Sequence, residues 1–280
     1  MNCFFVTDLH GHPDRYEKLS NAITKECPSA VFLGGDLLPT AALSENIDFV
    51  NDYLIPRFTR ISKELDDQYP AVFFILGNDD PRSEERAFIE GERQWLWSYI
   101  QQKRVEFRSF LVYGYAFVPP TPFRLKDWER YDVSRFVDVG AVSPEEGMRT
   151  VTVAENEVKW GTIQKDLELL AGDDEMENAI MLFHSPPYET SLDRASLDGR
   201  FVENAPVDVH VGSIAIKRFI ESRQPLLTLH GHVHESTRIT GIWKSRIGRT
   251  VCINGAHDGP ELALVRFDPH SPAEATRELL

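Results

Sequence analysis

Five short segments carry side chains that bind metals or move protons. They are Asp8-Leu9-His10, Gly35-Asp36, Gly77-Asn78-Asp79-Asp80, His184, and His230-Gly231-His232-Val233-His234. Each follows an apolar run that reads as a strand. Taken singly, most are weak. Asp-x-His and Gly-Asp are ordinary turn chemistry, and a solitary His is usually solvated. Gly-His-x-His is stronger, because alternate residues on an extended chain converge on one centre. In open α/β sheets, ligands bind beyond the carboxyl ends of the strands. Together the segments would deliver Asp, His, Asp, Asn, His, His and His to such an edge, which is the donor set of a metal site.

A frame is needed that puts these strand ends side by side. Residues 2–7, 30–33 and 71–76 are short apolar runs suited to buried strands. Residues 13–25, 44–65 and 83–102 have helical spacing. The first of these opens on Pro13 directly after His12, and the second is interrupted at Pro56. Strand and helix in this rhythm give a parallel sheet with crossover helices. Further on, residues 110–118, 179–183, 226–229, 249–253 and 261–267 read as strands, and 161–171 and 212–221 as helices. The late strands have short connections, which points to antiparallel pairs added to the parallel core. Residues 119–132 are rich in Pro and aromatics and read as a long ordered loop. No repeat, low-complexity tract or Gly/Ser linker divides the chain, so one domain over 1–280 is expected.

With 30 Lys and Arg against 44 Asp and Glu, the 280-residue chain carries a net charge of −14. That balance argues against nonspecific nucleic-acid binding, which needs a basic face. A nucleotide substrate stays open, since bound metal reverses the local field. At 42% hydrophobic and 26% charged, the composition is that of a globular chain and not a disordered one. No run approaches the ~20 apolar residues of a membrane helix, and the first residues lack the basic start and cleavage site of a signal peptide. Cys3, Cys27 and Cys252 fit neither a disulfide framework nor a zinc ribbon. A cytoplasmic location without a membrane partner is expected.

As a set, the five segments resemble the motifs of the calcineurin-like metallophosphoesterase superfamily: Asp-x-His, Gly-Asp, Gly-Asn-His-(Asp/Glu), His and Gly-His-x-His. The likeness runs over roughly residues 2–254. The stretches Phe117-Val118-Pro119-Pro120-Thr121-Pro122-Phe123 and His184-Ser185-Pro186-Pro187-Tyr188 are similar to a little-characterised prokaryotic branch. The resemblance implies an α/β fold, a four-layer α/β/β/α sandwich with two mixed sheets. It implies two adjacent metals. Asp8, His10, Asp36 and His234 would hold the first, and Asp36, Asn78, His184 and His232 the second, with Asp36 bridging. Two divalent transition-metal ions suit this mixed donor set, Mn or Fe foremost and Zn, Co or Ni as alternatives; Mg and Ca prefer all-oxygen shells. Such a pair generates hydroxide at neutral pH and clamps phosphoryl oxygens. The implied activity is hydrolysis of a phosphoric ester by a metal-bridging hydroxide, with no covalent enzyme intermediate.

One position departs from the pattern. Asp79 stands where many family phosphatases carry a His that is thought to assist the leaving group or orient the phosphate. An ionised Asp79 repels a phosphate dianion and donates no proton. A diester carries one charge fewer, so a small phosphodiester, nucleotide-like or otherwise, is the expected substrate. Asp36, Asn78 and Asp79 are expected to act on it. His12, His230 and His257 are candidates for the missing acid, or else supporting or solvated imidazoles. His210 and His270 have no motif context and read as surface residues. Asp80 pairs with Arg82, orients Asn78 or caps the helix near Ser83.

Residues 119–132 form either a substrate wall or a structural loop. As a wall, Phe123 and Trp128 would join Asn78 and Tyr188 in holding substrate, with Trp128 stacking on a base. Arg194 and Arg200 are either phosphate contacts or solvated. Two rival classes fit the sequence less well. A non-catalytic scaffold on the same fold would have lost several donors, and here all stand. An amidohydrolase barrel begins with His-x-His and needs eight regular β/α units, which this chain lacks. An oligomer is left open.

Overall fold

The computed structural model describes residues 1–39 and 48–280. The short apolar runs become strands because neighbouring layers bury both of their faces. β1 (Cys3–Val6), β2 (Ala30–Gly34) and β3 (Ala71–Ile75) lie parallel and almost wholly buried. Between β1 and β2 runs α1 (Pro13–Glu26). Its Pro sits where the missing N–H costs nothing. It buries Tyr16, Leu19 and Ile23 on one face and ends at Cys27 in the left-handed conformation. α2 (Ile55–Leu65) leads to β3. The helix expected over 44–65 is shorter here: residues 40–47 lie outside the described ones, Phe49–Leu54 is π-helical, and Pro56 falls in the first turn of α2.

The helix expected over 83–102 is also cut short. α3 (Glu85–Arg93) stops, and the chain turns into a brief edge strand, β4 (Ser98–Tyr99). The cause is Trp97. Its ring lies against Gly91, where a Cβ would stand 2.0 Å from it. Its Nε1 donates to the Phe88 carbonyl at 2.8 Å, and Trp95 turns the chain at φ +60°.

β5 (Arg104–Phe107) and β6 (Phe110–Tyr115) form a hairpin. After a long irregular stretch come α4 (Glu155–Trp160), α5 (Ile163–Ala171) and β7 (Ala179–Phe183). A two-residue pair, β8 (Phe201–Val202) and β9 (Ala205–Pro206), precedes α6 (Ile214–Arg223) and β10 (Leu227–His230). The chain continues through α7 (Ser236–Thr240), β11 (Lys244–Ile247), β12 (Thr250–Asn254), β13 (Ala263–Phe267) and β14 (Thr276–Leu279).

Two six-stranded sheets result, ordered β14-β13-β1-β2-β3-β4 and β11-β12-β10-β7-β6-β5. Both are mixed. β1 through β4 are parallel, with β13 and β14 added antiparallel. In the second sheet β6, β7, β10 and β12 are parallel, and β5 and β11 are antiparallel edges. β2 lies against β7 and β3 against β6, with α1 on α2 and α5 on α6 outside them. This is the expected four-layer sandwich. Stacking the sheets brings the carboxyl ends of β1, β2, β3, β7 and β10 to one rim. Among the described residues, no helix is long and apolar enough to cross a membrane.

Candidate metal centre

The loops leaving these strands are tied to one another by their backbones. Asp8 N–H donates to the Gly35 carbonyl, His10 N–H to that of Asp36, and Gly11 N–H to that of Leu37. The Gly231 N–H reaches the His184 carbonyl across the second sheet, and the His232 N–H reaches the Asp8 carboxylate at 3.1 Å, linking the two sheets. Arg15, buried on α1, donates to the Asp8 carbonyl at 2.7 Å and to the Gly259 carbonyl at 2.6 Å. Asp8, His10, Asp36 and His232 all have positive φ, between +46° and +71°. Non-glycine residues pay roughly 1–2 kcal/mol for that conformation, and such strain gathers at functional sites. Gly77 is needed for close approach, since a Cβ there would stand 2.3 Å from Asp36 Oδ1.

Donor atoms of Asp8, His10, Asp36 and His234 lie within 4.8 Å of one another, and so do those of Asp36, His184 and His232. Asp36 belongs to both groups. Asn78 Oδ1 lies 3.1 Å from His184 Nε2, which completes the second group. The structure thus brings together the seven side chains that the sequence singles out. The arrangement fits metal ions on several counts. His184 Nδ1 donates to the Gly34 carbonyl at 2.8 Å, leaving Nε2 aimed at Asp36, 3.2 Å away. A carbonyl on the far nitrogen is the usual way to orient a ligating imidazole. His10 and His234 point their Nε2 atoms at each other at 3.2 Å, while buried His10 Nδ1 has no hydrogen-bond partner among the described residues and lies 3.9 Å from Asp79 Oδ2. Asp8 and Asp36 are fully buried carboxylates, and buried charges are paired or bind metals.

In the metal-free protein the imidazoles take up that pairing. Burial opposes the charge on His184, but Asp36 and then Asp8 outweigh it and push the imidazole up to about 10. His234 is pushed up to about 9, with burial overcome by Asp8. Burial drives His232 down to about 4. Asp8 and Asp36 are held below the usual carboxylate range; burial works against this, and His234 and His184 respectively prevail. A folded-state value above the unfolded one of about 6.5 means stability that is full below pH 6.5 and lost as pH rises toward 9–10. We therefore expect the melting temperature of metal-free protein to fall between pH 6.5 and 9. Metal-loaded protein should fall less, because ligation needs the deprotonated imidazole. Calorimetry of both forms checks this; a metal-free melting temperature that is flat over that range would refute it.

Above the donors opens a cavity of about 350 Å³. Asp36, Asn78, Asp79, His232 and His234 form its floor, and Pro119–Phe123 (119–123), Val139, Val207, Val211 and Leu197 supply apolar walls. Asp138, Asp208 and Glu235 add carboxyls, and no Lys or Arg is among the described lining residues. Burial and the neighbouring Asp208 raise the carboxyl of Asp138. Asp79 N–H donates to Asp36 Oδ1 at 2.8 Å, and its carboxyl takes the Asn78 amide at 2.9 Å. Burial and the charge of Asp36 push Asp79 up to about 6.

Several sequence expectations need correction. Trp128 is 1% exposed and packs against Phe117 and under Arg82, so it is core and cannot stack on a ligand. Phe123, 61% exposed, is at the cavity. Segment 119–132 is thus a wall at its start and a structural plug after it. The plug is pinned by Lys126 and Glu129, a fully buried pair that holds Thr121 through its N–H, hydroxyl and carbonyl. Burial pushes Glu129 up to about 7 and Lys126 down. Tyr188 is half-buried with its hydroxyl on Asp208, behind the lining and not in it. His12 is exposed at the N-cap of α1, makes no capping bond and does not line the cavity. His230 is fully buried between the Ser185 carbonyl and the Thr228 hydroxyl, and burial drives it down to about 4. His257 bonds Glu261 outside the lining. Arg194 and Arg200 also lie outside it. Asp80 neither pairs with Arg82 nor caps a helix. Fully buried, it accepts from the N–H groups of Leu37, Leu38 and Gly77. Burial and Asp36 push it up to about 8 against those three donors. His210, read as a surface residue, lines the cavity.

The sequence model of the family described as calcineurin-like phosphoesterase matches residues 1–236. An uncharacterised protein of Methanocaldococcus jannaschii is 33% identical over 81 residues, 28% of this chain and 31% of that protein. The chain thus spans about a third of the length of this curated relative. Among solved structures, a Thermus thermophilus protein superposes at a TM-score of 0.58 with 15% identity, covering 99% of this chain and 98% of that one. A dimetal phosphatase from Danio rerio gives 0.50 and 12%, covering 95% of each. Phosphopantetheinyl hydrolase from Mycobacterium tuberculosis gives 0.50 and 10%, covering 91% of this chain and 89% of that one. At these identities the likeness is one of fold.

Proposed function

We propose that this chain, which belongs to the calcineurin-like phosphoesterase family, hydrolyses a small phosphodiester at a two-metal centre. The observation that carries the reading is seven convergent donors under a cavity whose described lining has five carboxylates or carboxylic acids and no cationic side chain of Lys or Arg. Asp8, His10, Asp36 and His234 would hold one divalent ion, and Asp36, Asn78, His184 and His232 the other. When bound, two such ions supply a nucleophile at neutral pH and positive charge for phosphoryl oxygens.

The chain's own residues do the rest. Gly34 fixes the tautomer of His184 through its carbonyl. Asp36 orients the Asn78-Asp79 turn by accepting the Asp79 N–H. Asp79, Asp138, Asp208 and Glu235 disfavour a dianion, which a monoester presents, relative to the monoanion of a diester. The proline wall and Phe123 shield the ester group from water. About 350 Å³ suits a ligand of metabolite size, and the net charge of −14 agrees with a small substrate over a nucleic-acid strand.

The test is turnover of bis-p-nitrophenyl phosphate and p-nitrophenyl phosphate by metal-stripped protein reloaded with Mn²⁺, Fe²⁺, Co²⁺, Ni²⁺ or Zn²⁺. Metal-dependent turnover, faster on the diester, is expected. A faster monoester would overturn the diester preference. No turnover with two ions bound per chain would overturn the hydrolase reading.

A further inference from the structure

Phosphoester hydrolysis leaves a negative oxygen on the departing alcohol, and the motif position that would carry an acid holds Asp79 instead. Resting on the reading above, we propose that His210, oriented by Asp193, is the general acid that protonates the leaving oxygen.

The geometry is that of a dyad. His210 Nδ1 lies 2.8 Å from Asp193 Oδ1. Asp193 is fully buried and also accepts the N–H groups of Glu189 at 2.8 Å, Thr190 at 2.9 Å and Gly212 at 3.2 Å. Three backbone N–H donors on one buried carboxyl give the pattern of an acceptor-only carboxylate, so Nδ1 carries the proton in the dyad. His210 is only partly covered, with 26% side-chain exposure, and it lines the same cavity as Asn78, Asp79 and His232. Its Nε2 has no hydrogen-bond partner among the described residues. One nitrogen is thus fixed by a buried carboxylate, and the other is left for a ligand, the arrangement by which a carboxylate orients an acid-base imidazole.

Other groups hold the ring in place. Tyr188 meets it edge-on at 6.1 Å between centroids. The Tyr188 hydroxyl bonds Asp208, whose other oxygen accepts the His210 N–H at 2.9 Å. The backbone of Arg194 pairs antiparallel with that of His210. Among the described residues, Asp193, Asp208 and Tyr188 are the titratable groups that meet His210, Asp138 lies close enough to Asp208 to feel its charge, and the Arg194 guanidinium turns to the Ala195 carbonyl and Asp198.

The step balances simply. A water-derived oxygen forms a bond to phosphorus, and the bond from phosphorus to the leaving oxygen breaks with its electron pair on that oxygen. The Nε2 proton of the His210 imidazolium passes to it, the product departs as an alcohol, and neutral His210 regains a proton from solvent. Asp193 keeps its hydrogen bond to Nδ1 throughout and is a positioning residue.

The experiment compares methyl p-nitrophenyl phosphate with methyl phenyl phosphate on protein loaded with the most active metal. A nitrophenolate leaves without help, and a phenolate needs the acid. His210→Gln should lose roughly 10²-fold more on the phenyl ester than on the nitrophenyl ester, the low end of general-acid contributions. Asp193→Asn should show the same selective loss in smaller measure. Equal losses on both esters would mark a structural role and overturn the proposal while leaving the phosphoesterase reading intact. Wild-type selectivity in a folded His210→Gln protein would do the same. No turnover of either ester by the wild type would overturn both.

Discussion

Asp36→Asn is expected to lower metal-dependent turnover by at least about 10³-fold and to leave fewer than two ions bound per chain. Asp36 is the one side chain common to both donor groups. The amide is nearly isosteric, so its oxygen can still accept the Asp79 N–H that Asp36 Oδ1 accepts at 2.8 Å, and the fold should survive. What goes is a unit of charge shared between two dications. At about 4 Å and an effective dielectric near 20, one unit of charge is worth about 4 kcal/mol, and each 1.36 kcal/mol is tenfold in rate. Metal content by mass spectrometry and kcat/KM on bis-p-nitrophenyl phosphate measure the two effects separately. Two tightly held ions with near-wild-type turnover in the variant would sink the bridging role.

The cluster of candidate donors was legible in the sequence for a physical reason. A strand that stops at a sheet edge must release its chain in a tight turn, and small or short polar residues do this best. Asp8 and Asp36 turn at positive φ, and Gly77 lets the Asp36 carboxylate approach its backbone. Turn chemistry and metal chemistry thus fall on neighbouring residues, which makes short motifs.

The dyad of His210 and Asp193 leaves no such trace. The two residues are 17 apart in an irregular stretch, and their contact depends on how that stretch folds over the second sheet. Trp128 misled because an aromatic in a Pro-rich loop reads alike whether it faces a ligand or the core. The turn after α3 was hidden because the Gly91–Trp97 contact that ends the helix is tertiary. β5, β11 and β14 escaped notice as edge strands with half-exposed, polar sequences, where no apolar run is required.

Asp80→Ala is expected to destabilise the fold by roughly 3–9 kcal/mol, since each of three buried donors left without an acceptor costs about 1–3 kcal/mol. Asp80 serves three such donors: Leu37 and Leu38 after β2, and Gly77 after β3. These loops carry Asp36 and Asn78, so the same carboxyl that pairs the loops also spaces the bridging residue from the amide donor. The Tyr16 hydroxyl, 2.8 Å from the Leu37 carbonyl, and the Thr7 hydroxyl on the Gly35 carbonyl would still tie that loop. Metal affinity should therefore fall along with stability, although Asp80 touches neither donor group. The two losses separate by experiment. Urea unfolding of metal-free protein reads the hydrogen bonds alone, and metal titration of the folded variant reads the displaced Asp36. Asp80→Asn should lie between wild type and Ala, because its one carbonyl oxygen can serve part of the set while its amide N–H₂ faces donors. A metal-free unfolding free energy within about 1 kcal/mol of wild type, less than one orphaned donor costs, would show that water or a shifted backbone replaces the carboxyl.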